Sequence, residues 1–236
     1  MEGSFFLKVL IFVVLIISVV MHELAHGAVA DANGDPTPRL AGRLTLNPLA
    51  HLDPLGTVFI IMIIFMGVPF FGWAKPVPIN PTYFRDYRKG MLTTSIAGPF
   101  ANFSLLVLCM GILYFMYIFQ VSPNSLVAGM LGIGVLINFV LMFFNLLPIP
   151  PLDGSKVLMQ FLPWKQQMAF LKVESFGFII LIALLFTGVL GTLLLWAFGG
   201  LAWVTLQLFG PEFTGYIANA DPTNMMLHVQ AYFFPG

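Results

Sequence analysis

Residues 5–30 read FFLKVLIFVVLIISVVMHELAHGAVA. About 20 apolar residues suffice to carry a helix across the hydrocarbon of a bilayer. Here only Lys8 and the group His22-Glu23-Leu24-Ala25-His26 interrupt the run. A secretory signal peptide fits poorly, because its apolar part spans roughly 7–15 residues and the polar group is no small-residue cleavage site. The stretch reads as a membrane-spanning helix, and ionisable side chains inside a span mark a functional site by default. Composition agrees: of 236 residues, 59% are hydrophobic and 8% charged, against about 25% charged in soluble domains. Ten basic and ten acidic side chains cancel, so no basic field is available to hold nucleic acid. A single cysteine, Cys109, excludes a disulfide framework and a cysteine-rich metal site.

Further spans follow. Met91 to Gln120 and Leu126 to Leu147 are each long enough to cross, and Glu174 to Gly210 is long enough for a hairpin of two helices. The loop Lys75 to Lys89 carries Lys75, Arg85, Arg88 and Lys89, and the loop after Asp153 carries Lys156, Lys165 and Lys172. Both belong on the cytoplasmic side by the positive-inside rule, as do Arg39 and Arg43. The apolar segment Leu55 to Trp73 must then begin and end on that same side. Its helical part is too short to span, and it is followed by Gly67, Pro69, Gly72, Pro76, Pro78 and Pro81. It is expected to be re-entrant, a short helix inward and an extended strand outward. Non-helical backbone at that depth is tolerated only against protein or a water-filled cavity. The fold expected is an all-α polytopic membrane protein, a bundle of about four to six transmembrane helices with this re-entrant element near the active site. Residues 1–210 form the membrane domain, and 211–236 an interfacial C-terminal tail.

His22-Glu23-Leu24-Ala25-His26 fits H-E-x-x-H. Positions four apart share a helix face, so both imidazoles can reach one zinc ion, with Glu23 placed to take a proton from the attacking water. A catalytic zinc of this kind needs a third protein ligand. The candidates are Asp31, Asp35, Asp53, Asp86, Asp153, Glu174, His51 and His228. Asp153 is the best of them by topology, because it follows the span Leu126–Leu147 on the side where His22 and His26 lie. Pro148, Pro150 and Pro151 break the helix before it and let the chain bend into the bundle. Asn145 could donate its amide to a developing oxyanion or simply hydrogen-bond between helices.

Taken together, His22-Glu23-x-x-His26-Gly27 within a span and Asn145-x-x-Pro148-x-x-x-Leu152-Asp153-Gly154 downstream resemble the site-2 protease family of intramembrane zinc metalloproteases. Gly42-Arg43-Leu44-Thr45-Leu46-Asn47-Pro48, Gly72-Trp73-Ala74-Lys75-Pro76-Val77-Pro78 and Ala97-Gly98-Pro99 with Asn102 match a small prokaryotic branch, without the PDZ or CBS domains of larger members. The resemblance runs from about residue 8 to residue 190. It implies one zinc per chain held by His22, His26 and Asp153, Glu23 as general base, and Asn145 near the reacting carbonyl. It further implies a multi-pass protein of the cell membrane, with its active site near the cytoplasmic side and a transmembrane protein or peptide as substrate.

A substrate helix must be unwound before its peptide bond can reach a metal, and its bared N–H and C=O groups then need partners at membrane depth. The re-entrant strand can supply them by strand addition. Because Pro76 and Pro78 cannot donate, the pairing edge is expected over Phe70, Phe71, Gly72, Trp73, Ala74 and Lys75. The competing reading of the whole is a non-catalytic membrane protein that captures membrane segments on the same fold. Such a protein would not need H-E-x-x-H and Asp153 together. A zinc transporter would need a polar path across the bilayer that these spans lack. His51 and Asp53 read as an interfacial turn rather than an accessory metal site, and Asn102 and Asn138 as hydrogen bonds between helices.

Overall fold

The computed structural model describes residues 2–66, 73–174, 176–220 and 222. The chain is an all-α polytopic membrane protein. Four helices are long and apolar enough to cross a membrane: α1 (Glu2–Ala32), α4 (Tyr87–Ile118), α5 (Leu126–Leu146) and α9 (Val189–Ala220). Between α1 and α4 lie a four-residue helix, α2 (Thr37–Leu40), and the short helix α3 (Pro54–Ile61), which runs on as a π-helical turn over Met62–Met66. After α5 come α6 (Asp153–Met159), α7 (Trp164–Glu174) and α8 (Gly177–Phe186). The last two meet at 63° and would together make a fifth, broken crossing.

Local chemistry explains where these helices begin and end. Asp53 accepts from the Gly56 N–H at 2.8 Å, Asp86 from the Lys89 N–H at 2.9 Å and Ser125 from the Ala128 N–H at 3.2 Å. Each satisfies one of the N–H groups a helix start leaves unpaired. The Asp53-Pro54 pair is thus the helix start read from sequence, and Asp53 is occupied as a cap. The Thr187–Gly188 turn, with Gly188 at φ +75°, separates α8 from α9. Glu174–Gly210 thus holds two helices as expected, but α8 is too short to cross by itself and α9 is the long span.

The chain between Asp53 and Lys75 is re-entrant by contact. A Cβ on Gly56, near the start of α3, would lie 2.0 Å from the carbonyl oxygen of Trp73. The Lys75 N–H donates to the His51 carbonyl at 2.9 Å. The chain has therefore come back to the end of α3 it left from. The far end of the element is pinned to α1, where the Lys8 ammonium donates to the Phe65 carbonyl at 2.9 Å. A cation there meets the partial negative charge of a helix C-terminus. Residues 73–80 carry no regular secondary structure, and no strand occurs among the described residues. Phe70, Phe71 and Gly72 lie outside those residues.

α1, α4 and α5 pack on one another, and α9 joins them along α5. Residues 211–220, assigned from sequence to the tail, are helical after a break at Gly210 (φ +83°) and Pro211. Phe213 and Ile217 are buried with Leu113, Ala128 and Val135 of α4 and α5.

Candidate metal centre

The spacing of His22 and His26 puts both rings on the same face of α1, and that face looks at α4 and the start of α6. The two Nε2 atoms stand 3.0 Å apart. Asp153 Oδ2 is 3.0 Å from His26 Nε2 and 3.2 Å from His22 Nε2. All three residues are buried, and among the described residues this is the one cluster of such side chains that could hold a metal ion.

What lies behind the rings fixes their chemistry. His26 Nδ1 donates to the Thr94 carbonyl at 2.7 Å, and His22 Nδ1 donates to Asn102 Oδ1 at 2.6 Å. A neutral imidazole that has its proton on Nδ1 has a bare lone pair on Nε2. Two bare nitrogens and a carboxylate oxygen within 3.2 Å of one another repel unless a cation lies among them. The Lys156 ammonium stands 3.5 Å from the other oxygen of the Asp153 carboxylate, which favours the ionised form that a metal ligand needs. Ligand separations near 3 Å suit a tetrahedral zinc, for which bonds of about 2.0–2.1 Å place ligands about 3.3 Å apart.

Glycine makes the space. A Cβ on Gly98 of α4 would sit 2.3 Å from His26 Nε2 and 2.5 Å from His22 Nε2, where an ion would lie. Gly154 has the same role behind Asp153, since its Cβ would lie 2.2 Å from the Leu146 carbonyl oxygen. Only glycine lets the loop after α5 curl back on that helix's last turn and aim Asp153 inward. The Asp-Gly pair is thus a close-packing device as well as a turn.

A cavity of about 410 Å³ opens over His22, His26 and Asp153, lined in part by Glu23, Val77, Ile79, Asn145 and Lys156. Glu23 Oε2 accepts the Val77 N–H at 2.9 Å, so the returning chain holds that carboxylate. Asn145 reaches the cavity while its amide donates to the Leu141 carbonyl at 2.9 Å. Trp73 packs on Phe59 and Phe178 with ring centroids 5.4 and 5.9 Å away. Both backbone polar groups of Lys75 are engaged, the N–H by His51 and the carbonyl by Arg43. Farther along the same chain, Pro76, Val77 and Ile79 line the cavity.

Five of the other candidate ligands are committed elsewhere. Asp31 pairs with Arg39 at 3.3 Å, and Asp35 accepts the Thr37 and Asn80 N–H groups at 2.9 and 2.6 Å. Asp53 and Asp86 cap helices, and His51 Nε2 donates to the Thr45 carbonyl at 2.9 Å. His228 lies outside the described residues. Asn102 and Asn138 do bond between helices, at 2.9 Å.

Sequence reasoning named Arg43 as a cytoplasmic-side charge and part of a motif but missed what it bonds to. Only 5% exposed, its guanidinium donates to the carbonyls of Ala50, Lys75 and Pro76, the last two at 2.7 and 2.8 Å. It staples the first loop to the chain that carries Val77. Ser18, buried one turn before His22, was missed as well.

Comparison with known proteins gives the ancestry. A profile of peptidase family M50 matches residues 117–188. The chain is 39% identical over 188 residues to "Putative zinc metalloprotease YwhC" of Bacillus subtilis, an alignment covering 78% of this chain and 83% of that one. Two relatives carry the same description. Rip2 of Mycolicibacterium smegmatis is 32% identical over 73% of this chain and 64% of its own. MJ0611 of Methanocaldococcus jannaschii is 30% identical over 64% of this chain and 72% of its own. No solved structure matches the chain. Sequence identity over most of both chains and the matching profile lead to one conclusion: the chain belongs to peptidase family M50, the site-2 protease family.

Proposed function

We propose that this protein is an intramembrane zinc metalloprotease that hydrolyses peptide bonds of membrane-embedded protein substrates near the cytoplasmic face. The observation that carries the reading is the convergence of His22 Nε2, His26 Nε2 and Asp153 Oδ2 within 3.2 Å, with the backing oxygens of Asn102 and Thr94 leaving both nitrogens bare. Membership of family M50 and the zinc metalloprotease names of the relatives point the same way.

His22, His26 and Asp153 would hold zinc, which supplies Lewis acidity to a water and to the substrate carbonyl. Glu23, in the same cavity, takes the proton of the attacking water and later delivers it to the leaving amine. The Val77 N–H on its Oε2 keeps that carboxylate turned toward the site. Asn145 turns its amide from the Leu141 carbonyl to the carbonyl oxygen under attack, where charge develops. The substrate, unwound to expose its peptide bonds, lies along the returning chain at the cavity, over the edge expected from Phe70 to Ala74. Lys75 drops out of that edge because its N–H and carbonyl are already taken by His51 and Arg43. Backbone pairing there satisfies polar groups that would otherwise be bare in the membrane.

The test is cleavage of a membrane-anchored reporter by the wild type and Glu23→Gln, with zinc content measured in both. The amide keeps the shape but cannot accept the proton, so the rate should fall about 10²–10⁴-fold while zinc stays bound. A variant that keeps more than about a tenth of the rate, against that typical range, would move the base elsewhere.

A further inference from the structure

His26 is backed directly by a backbone carbonyl, whereas His22 is backed by an amide that has two nearly superimposable orientations. Asn102 must present its oxygen to His22 Nδ1. Turned about its last bond, it would present the NH2 group instead, and the His22 proton would be driven onto Nε2, the atom that faces Asp153. A ligand nitrogen must be bare.

We propose that Asn138 is a positioning residue which, by fixing the orientation of the Asn102 amide, selects the metal-binding tautomer of His22. This rests on the zinc-site reading given above. Asn138 is 2% exposed and Asn102 is fully buried, on α5 and α4 within the spans. The donors run in one direction only. His22 Nδ1 donates to Asn102 Oδ1 at 2.6 Å, and Asn102 Nδ2 donates to Asn138 Oδ1 at 2.9 Å. Asn138 Nδ2 then donates to the Gly134 carbonyl at 2.9 Å and to Ser18 Oγ at 3.0 Å. A backbone carbonyl can only accept. The Gly134 carbonyl therefore sets which end of Asn138 is NH2, which sets Asn102, which sets His22. The Ser18 carbonyl, 3.3 Å from Asn102 Nδ2, favours the same orientation more weakly. The relay spans α1, α4 and α5, so it also fixes the ring against the helix that carries Gly98.

The experiment measures zinc affinity by chelator competition on the full chain in detergent. The proteins are wild type, Asn138→Leu, Asn102→Asp and the double variant. Asn138→Leu should bind zinc about 10–100-fold more weakly, the usual effect of losing an outer partner of a metal ligand. In the Asn102→Asp background the same change should have little effect, because a carboxylate accepts on either oxygen and has no orientation to lose. Nitrogen-15 shifts of histidine-labelled, zinc-free protein should show the His22 proton on Nδ1 in the wild type and partly on Nε2 in Asn138→Leu. Unchanged affinity in Asn138→Leu, or an equal loss in both backgrounds, overturns the proposal. If Asn138→Leu does not fold, the smaller Asn138→Ala decides: a loss of about 10–100-fold in zinc affinity supports the proposal, and affinity within about threefold of wild type, against that range, overturns it. A wild type that binds no zinc, or a His22→Ala variant that binds it as the wild type does, overturns instead the site reading beneath the proposal.

Discussion

Around His22 the helices meet through polar groups. Ser18, Asn102 and Asn138 hydrogen-bond across three of them, and a backbone carbonyl of α4 receives His26. Toward the other end of the same helices the contacts are rings. Tyr114, Tyr117, Phe209, Phe213 and Tyr216 lie with centroids 5.2–6.4 Å apart, joined by Leu113 and Ile217. Within a bilayer the hydrophobic effect does not drive helix against helix. The aromatic half depends on dispersion and ring geometry, worth about 0.5–1.5 kcal/mol per pair beyond burial, and such packing tolerates exchange of similar volumes. The polar half depends on direction, because each N–H must point at an acceptor and a misplaced amide oxygen would change which nitrogen of His22 carries the proton. Sensitivity to substitution should therefore divide along the length of α4 and α5.

The sharpest way to break this comparison is Gly98→Val. A Cβ there would lie 2.3 and 2.5 Å from the ligand nitrogens, so the variant should lose zinc and all cleavage while the helices still assemble. Metal analysis and far-ultraviolet circular dichroism check the two halves of that statement. Next in size is Val77→Pro, which removes the N–H that holds Glu23 Oε2 and lies between two prolines already. Cleavage should fall about 100-fold, the scale of a misplaced catalytic group, with zinc retained. Arg43→Gln should cost about tenfold in cleavage by loosening the chain that carries Val77, a smaller displacement of the same group, again with zinc retained. Equal rates in wild type and Arg43→Gln would mean the staple does not bear on the reaction. Phe213→Leu, in the aromatic half, should lower stability by about 1 kcal/mol and leave the cleavage rate of folded protein unchanged. A large loss of activity there would erase the division between the two halves.

The sequence disclosed those parts of the molecule that leave a side-chain signature. H-E-x-x-H placed two histidines on one helix face, and charge parity required Leu55–Trp73 to turn back, as the contact of Gly56 with Trp73 shows. The prolines before Asp153 marked the bend that brings it inward. Less was legible where backbone atoms act. The Thr94 carbonyl behind His26 and the Val77 N–H on Glu23 belong to groups every residue has, so no residue type announces them. Arg43 was read as a topological charge because its acceptors are carbonyls 7, 32 and 33 residues away, a pairing no local pattern contains. The stretch from Pro211 onward, with Glu212, Asp221 and His228 as its charged or titrating side chains, reads from sequence as an interfacial segment. The chain instead resumes its helix after the break, and the rings of Phe213 and Tyr216 pack inward.

The central claim is that three residues from two distant parts of the chain hold one ion. Its most direct test is zinc stoichiometry of purified protein, wild type against His22→Ala, His26→Ala and Asp153→Ala. The expected result is one zinc per wild-type chain and loss in all three variants, because Asp35, Asp53 and Asp86 are committed to caps and loops and the Glu23 carboxylate accepts the Val77 N–H. Full occupancy in Asp153→Ala would contradict it.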